Sequence, residues 1–264
     1  METSQLYLKD TYLNKDISII SNRRIVEYDL KSANTSLCKE YKLLSDDQIS
    51  KIENMKKKER VITIGKLQRK DKEFNSSFKE SFKDIRRRFF YANNLEDKDI
   101  LAIKKDAIFC LVGCNETKFG KCHFVEKNVY TSYMHIDKLE LYYNARGESF
   151  DKSKLDVKGI SDETIHLHDG FMLDFINTIF KKIEEGNEAS LFRYINRFVS
   201  KYKHLQLPVG YYREFNNTSL IRLSDMDQTF EDETFIPFEH KQEHLNIDYN
   251  FFNVILPIVK IVMG

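Results

Sequence analysis

The stretch "ILAIKKDAIFCL", residues 100–111, decides how the rest of the chain is read. Ile100, Leu101, Ile103, Ala107, Ile108, Phe109 and Leu111 form a short apolar run bounded by polar segments, the pattern of a buried β-strand. Lys104, Lys105 and Asp106 interrupt it. An ionised carboxylate in apolar surroundings is costly unless something compensates its charge. Asp106 is therefore a paired side chain on an edge strand, or a group held there for its chemistry.

A second stretch has the same character. In "RRIVEYDLKSA", residues 23–33, Ile25 and Val26 lead into Glu27, Tyr28, Asp29 and Leu30. Asp29, like Asp106, lies in or at the end of a short apolar strand. Pairing of the two strands in one sheet sets the carboxylates side by side, and two close carboxylates need a cation between them. A hard ion such as Mg²⁺ or Mn²⁺ takes oxygen ligands and keeps waters or substrate phosphates in its shell. The same residues also have plain structural uses, Asp29 near a helix N-cap and Asp106 paired with Lys104 or Lys105.

Between these strands lies a basic insertion. Residues 51–88 hold 14 basic and 6 acidic side chains, although the whole chain has a net charge of only +1. Such a density suits phosphates, and equally a solvated helix face. "FNSSFKESFKDIRRRFFYANN" places Phe74, Phe78, Phe82, Ile85 and Phe89 three or four residues apart, which predicts an amphipathic helix closed by Asn93 and Asn94. Before it, Leu37, Tyr41 and Leu44 have helical spacing, and Gly65 is expected to interrupt a polar helical segment.

After the second strand, residues 121–160 read as a β-meander, with Asn144 to Gly147 as a hairpin turn. From His168 onward helical periodicity returns, with breaks at Gly186, Pro208 and Gly210. Residues 225–248 hold 8 acidic side chains against Lys241, a partner surface or a solvated loop. The order predicts an α+β fold.

At 264 residues and 41% hydrophobic content the chain can bury a substantial core. No signal peptide or membrane-length apolar run is visible, so the expected setting is a reducing, cytoplasmic one without a membrane partner. Four cysteines, Cys38, Cys110, Cys114 and Cys122, are expected to be reduced. Cys110, Cys114, Cys122 and His123 could form a zinc set, but adjacent residues of a strand point opposite ways, and small buried hydrophobes are the expected role. His166 and His168 have no third ligand nearby.

Taken together, five segments resemble those of the family B DNA polymerases, especially small phage-type ones. "EYDLKSANTSL" is similar to the first palm motif of that family, matching at Asp29, Ser32 and Ser36. "LAIKKDAIF" resembles the motif with the second metal-binding aspartate, and Asp106 falls on it, with Lys104 in place of the first aspartate. "KKERVITIGK" is similar to the fingers motif, with Lys57 as the triphosphate lysine, Gly65 and Lys66 kept, and Lys56, Lys58 or Arg60 as substitutes. "HIDKLELYYN" and "KLDVKGI" resemble the Lys-x-Tyr and Lys-Gly segments, with Glu140 at the tyrosine position. "NIDYNFFNVILPIVKIV" resembles the C-terminal thumb signature.

The resemblance implies a polymerase-palm-like antiparallel sheet with a helical fingers insertion and a C-terminal helical thumb. It divides the chain into palm at 1–50, short basic fingers at 51–95, palm again at 96–165, and thumb at 166–264. It implies template-directed nucleotidyl transfer by a nucleic-acid polymerase of DNA replication, with Asp29 and Asp106 as catalytic metal ligands for Mg²⁺ or Mn²⁺. Lys57, Arg60, Lys66, Ser32 and Asn34 would bind the nucleoside triphosphate. Lys138 and Lys158 would contact the primer-template, and another replication or transcription subunit is an expected partner. Twenty-two residues precede Arg23, too few for the proofreading exonuclease usual in the family. Asn34 stands where the family has the tyrosine that excludes a ribose 2′-hydroxyl. This implies tolerance of ribonucleotides and a primase-like or RNA-synthesising activity. The other expectation is a non-catalytic palm-like protein of a phage replication complex or virion, binding nucleic acid or a partner.

Overall fold

The first carboxylate strand forms as expected, as β3. The structure is a computed structural model, described here for residues 3–144, 155–159, 171–212 and 250–264. Its strands are β1 (Thr11–Leu13), β2 (Ile19–Ile20), β3 (Ile25–Leu30), β4 (Ile100–Lys104), β5 (Ala107–Cys110), β6 (Lys118–Phe119), β7 (Cys122–Tyr130), β8 (Ser132–Ile136), β9 (Leu139–Tyr143) and β10 (Leu155–Lys158). Its helices are α1 (Ala33–Glu40), α2 (Asp46–Glu53), α3 (Lys57–Lys70), α4 (Lys72–Ala92), α5 (Met172–Glu184), α6 (Glu188–Lys203) and α7 (Leu256–Met263), the last entered through a π-helical turn at Phe251–Ile255. The class is α+β with antiparallel sheets and a C-terminal helix.

The chain divides into two units. The first comprises residues 1–16 and 24–129, the second residues 17–23 and 130–264. The boundary at Val129/Tyr130 runs inside the segment 96–165. The stretch read as one meander is thus shared between two sheets. The reason lies in the neighbours. β7 lies beside β3 in a sheet of order β1-β4-β5-β3-β7-β6, whereas β8 takes the two-residue β2 as its edge partner in a sheet of order β10-β9-β8-β2.

In the first unit, alternation along β3 sends Val26, Tyr28 and Leu30 into the core and Glu27 and Asp29 to the opposite face. α4 covers the core face. Asp71 caps it by accepting the N–H of Phe74 at 2.9 Å, Phe74, Phe78, Ile85 and Phe89 form its buried stripe, and Asn93 and a positive-φ Asn94 end it. Each of these side chains, buried, contributes about 1.5–3 kcal/mol of transfer free energy. The Phe89 ring packs on Tyr28 at 5.5 Å and on Phe124 at 4.4 Å.

Two local readings are corrected. Residues 100–111 are not one strand but a tight hairpin, β4 and β5, with Lys105 and Asp106 as its turn. Lys105 has φ 56, a left-handed value that leaves no glycine signal in the sequence. Gly65 does not interrupt the helix: α3 runs through it, because helical hydrogen bonding continues on both sides and a glycine inside a helix costs only about 1 kcal/mol.

In the second unit β8, β9 and β10 form an antiparallel meander. α5 and α6 pack with it through Met134, Leu139, Leu141, Phe175, Ile179, Phe180, Ile195 and Phe198. Tyr143 stacks on Phe180 at 5.2 Å, and Phe175 on Phe198 at 4.0 Å. Gly186 closes α5 at φ 65, as its position implied. The turn residues 145–147, His166, His168 and the acidic stretch 225–248 lie outside the described residues. No described helix is long and apolar enough to cross a membrane.

Candidate functional site

A cleft of about 360 Å³ opens in the first unit. Asp29, Asp106 and Val125 line one part of it, residues 30–35 another, and Lys57, Arg60 and Val61 a third. The hairpin register explains how the carboxylates meet. Asp29 is opposite Ala107 across the β3–β5 pair, and the N–H of Leu30 donates to the carbonyl of Asp106 at 2.9 Å. The end of β3 is thereby tied to the turn that leads into β5.

The turn itself is strapped from below. Arg86 of α4 is 1% exposed and donates to the carbonyls of Tyr7 at 3.0 Å and Lys105 at 3.1 Å, and to the carboxylate of Asp10 at 2.8 Å. The N–H of Lys105 donates to the carbonyl of Asp10 at 2.9 Å. A buried guanidinium thus fixes the backbone beside Asp106.

From Leu30 the chain turns sharply into α1. Ser32 takes a left-handed conformation, φ 50 and ψ 44, at the N-cap, and its carbonyl receives the N–H groups of Thr35 and Ser36 at 3.0 Å each. A non-glycine residue pays about 1–2 kcal/mol for this conformation. The first turn of α1, with Asn34, faces the cleft with N–H groups that have no partner inside the helix. Lys57 and Arg60 come from the first turn of α3, whose start is fixed by Glu59 accepting the N–H of Lys56 at 3.1 Å. Among the described residues neither Lys57 nor Arg60 has a carboxylate partner.

The acidic wall has members that the sequence did not single out. Glu27 lies two residues before Asp29 on the same face of β3 and is only 3% exposed. Asn128 donates to Glu27 at 2.6 Å. Lys127 of β7 places its Nζ 3.5 Å from Glu27 and 3.5 Å from Asp29. Burial raises the Asp29 carboxyl above its ordinary range; Lys127 pulls it back, and Asp106 and Glu27 push it further up. Burial works against the charge of Lys127, yet Glu27 and Asp29 together hold it above its usual range. Lys127 is thus shared between two carboxylates, Glu27 and Asp29, while burial remains the largest influence on Asp29.

The structure therefore brings Asp29, Asp106, Ser32, Asn34, Lys57 and Arg60 to one cleft. Lys66 is not among its lining residues: it is exposed on α3, nine positions beyond Lys57. Lys138 and Lys158 belong to the second unit. There they share one end of the sheet, because Gly159, at φ 99, passes so close to the Lys138 carbonyl that a Cβ would lie 1.9 Å from it. Lys158 pairs with Asp156 at 2.8 Å and lies over the Tyr142 ring at 5.7 Å. Glu140 accepts the Tyr142 hydroxyl at 2.8 Å. All four cysteines are buried and unbridged. Burial raises the Cys38 thiol to about 11 and that of Cys122 to about 12, which makes both poor ligands and poor nucleophiles. Among the described residues no three His, Cys, Asp or Glu side chains form a metal-holding group.

Two oxygen donors, Asp29 and Asp106, bordering the open space of the cleft, fit a hard divalent ion that draws its other ligands from water or substrate phosphate. They do not fit zinc. The fold and site define an α+β protein with an acidic wall facing a basic one across a cleft. The chain belongs to the family described as bacteriophage PBS1 gene 130 protein, whose match covers residues 1–264. No curated protein matches the chain.

Proposed function

We propose that the cleft binds a nucleoside triphosphate with a divalent cation and carries out template-directed nucleotidyl transfer in phage nucleic-acid synthesis. On this reading the first unit supplies a palm-like sheet with α2–α4 as short fingers, and the second supplies the thumb-like helices. One observation carries it: a single cleft gathers two carboxylates, the N-terminal turn of a helix and two cations, Lys57 and Arg60, that have no carboxylate partner among the described residues.

Asp29 and Asp106 would hold Mg²⁺ or Mn²⁺. When bound, such ions neutralise charge on the attacking and leaving oxygens of phosphoryl transfer. Lys57 and Arg60 neutralise the triphosphate from the opposite wall. The N–H groups of the α1 first turn receive a phosphate oxygen or the sugar edge. Asn34 meets the sugar with a short amide that can hydrogen-bond a hydroxyl, so ribonucleotides are accepted. No side chain needs to act as general base, since positioning and charge neutralisation carry most of this chemistry. Lys138, beside Gly159 at the sheet end, is the stronger candidate for a primer-template phosphate; Lys158 is already paired.

A second reading has one observation in its favour. Lys127 already compensates Asp29, as expected of an acidic wall kept for structure. On this reading the protein is a non-catalytic palm-like component that binds nucleic acid or another subunit of a replication or virion complex.

Equilibrium binding of a fluorescent nucleoside triphosphate, with and without Mg²⁺, separates them. The enzymatic reading expects metal-dependent binding weakened about tenfold or more by Asp106→Asn or Lys57→Ala, the loss of one charge-assisted contact. Binding that ignores both the metal and Asp106→Asn contradicts it.

A further inference from the structure

We infer that Lys127 is a resident counter-ion of the acidic wall, which a divalent cation displaces from Asp29 onto Glu27, and which thereby sets the cation concentration the cleft requires. The inference rests on the metal-binding reading of Asp29 and Asp106.

The geometry is that of a shared, movable charge. Nζ lies 3.5 Å from an oxygen of Glu27 and 3.5 Å from an oxygen of Asp29, the outer limit of a charged hydrogen bond in both directions. It is therefore locked to neither. The Lys127 side chain is 53% exposed, so it can shift without opening the core. Glu27, by contrast, is 3% exposed and is fixed by Asn128 at 2.6 Å. It is a stationary acceptor next to a mobile donor.

An ammonium carries a single charge and, shared between Glu27 and Asp29, can satisfy only part of the demand of two acids, with Asp106 adding to the negative charge on Asp29. A divalent ion at Asp29 and Asp106 satisfies more of it and repels the ammonium at short range. Glu27 gives the displaced ammonium a place that is still paired. Glu27 thus has a use distinct from metal ligation, and it explains why a third carboxylate is buried beside the two that line the cleft. Without Lys127 the wall is more negative and metal binds more readily, while the metal-free protein bears more repulsion.

The test is thermal unfolding of the full chain titrated with MgCl₂ or MnCl₂, without nucleotide. Parent protein, Lys127→Met, Lys127→Arg and Asp106→Asn are compared. The expected result is metal-dependent stabilisation in the parent, half-maximal at about tenfold lower metal concentration in Lys127→Met. Lys127→Arg, which keeps the charge, stays at the parent value, and Asp106→Asn does not respond. A half-maximal concentration in Lys127→Met equal to or above that of the parent overturns the inference, with the metal reading intact if Asp106→Asn still abolishes the response. No response in either parent or Lys127→Met overturns both.

Discussion

The backbone N–H of Leu30 donates to the carbonyl of Asp106 at 2.9 Å, which ties the strand carrying one cleft carboxylate to the turn carrying the other. Asp29 and Asp106 are thus neighbours by backbone register rather than by side-chain attraction. Their charges oppose the arrangement that the sheet imposes.

That opposition has a consequence for stability. Burial, Asp106 and Glu27 raise the Asp29 carboxyl against the pull of Lys127. A carboxyl with a raised folded value favours the folded state below its unfolded value, and the advantage is lost as pH rises through the folded value. At pH 7 the ionised group is therefore a net cost. Asp29→Asn is expected to raise the unfolding midpoint at pH 7 by roughly 2 °C, a small effect because the group is partly solvated. The difference from the parent should close as the pH falls through the raised range. A lower midpoint in the mutant at pH 7 would mean that the Lys127 pair outweighs the repulsion.

Arg86 holds the Asp106 turn through three acceptors while being 1% exposed. Arg86→Met leaves the Tyr7 and Lys105 carbonyls without this donor. Urea unfolding should show a loss of about 3 kcal/mol. A loss below about 1 kcal/mol would show that the turn is held by the sheet alone.

Ser32 occupies a left-handed conformation without a side-chain cap bond. Ser32→Gly removes the steric cost and should stabilise the protein by about 0.5–1 kcal/mol. The same change frees the start of α1, so nucleotide affinity should fall a few-fold even as stability rises. Stability that falls instead would place an unrecognised role on the hydroxyl.

Glu40, at the end of α1, joins that helix to α4 and to the turn before β7. It accepts the N–H of Lys121 at 2.7 Å and the guanidinium of Arg88 at 2.9 Å. These bonds hold its carboxyl below the ordinary value of 4.5. Such a group contributes stability above its unfolded value, and the contribution is lost as pH falls through the lowered folded value. Glu40→Gln should cost about 1–2 kcal/mol at pH 7 and flatten the acid limb of the stability profile below pH ~4.5. An unchanged acid limb would refute this assignment.

Much of the fold was legible where one residue pattern fixes one element. The Phe74–Phe78–Ile85–Phe89 stripe and the paired asparagines gave α4, and the apolar run before Asp29 gave β3. The hairpin at Asp106 was hidden because its turn uses Lys105 at positive φ, with no glycine or asparagine to mark it. Gly65 misled for the opposite reason: a breaker residue sits on an open helix face, where a Cβ would meet nothing within 4 Å and no close approach explains the glycine. The cleft residues Asp29, Asp106, Lys57 and Arg60 could be named from local patterns and resemblance. Glu27 and Lys127 could not, because their meeting depends on β7 lying beside β3, a pairing between strands almost a hundred positions apart. Alternation within β3 was the one available signal, placing Glu27 on the face of Asp29.

The central claim is two-carboxylate nucleotidyl transfer, and primer extension on a short DNA template tests it most directly. dNTPs and NTPs are supplied separately with Mg²⁺ or Mn²⁺, and Asp106→Asn is run beside the parent. The account predicts metal-dependent extension by the parent, acceptance of NTPs as well as dNTPs, and loss of extension in Asp106→Asn. Absence of extension under every condition, with nucleic-acid binding equal in parent and mutant, would contradict it and leave the non-catalytic reading.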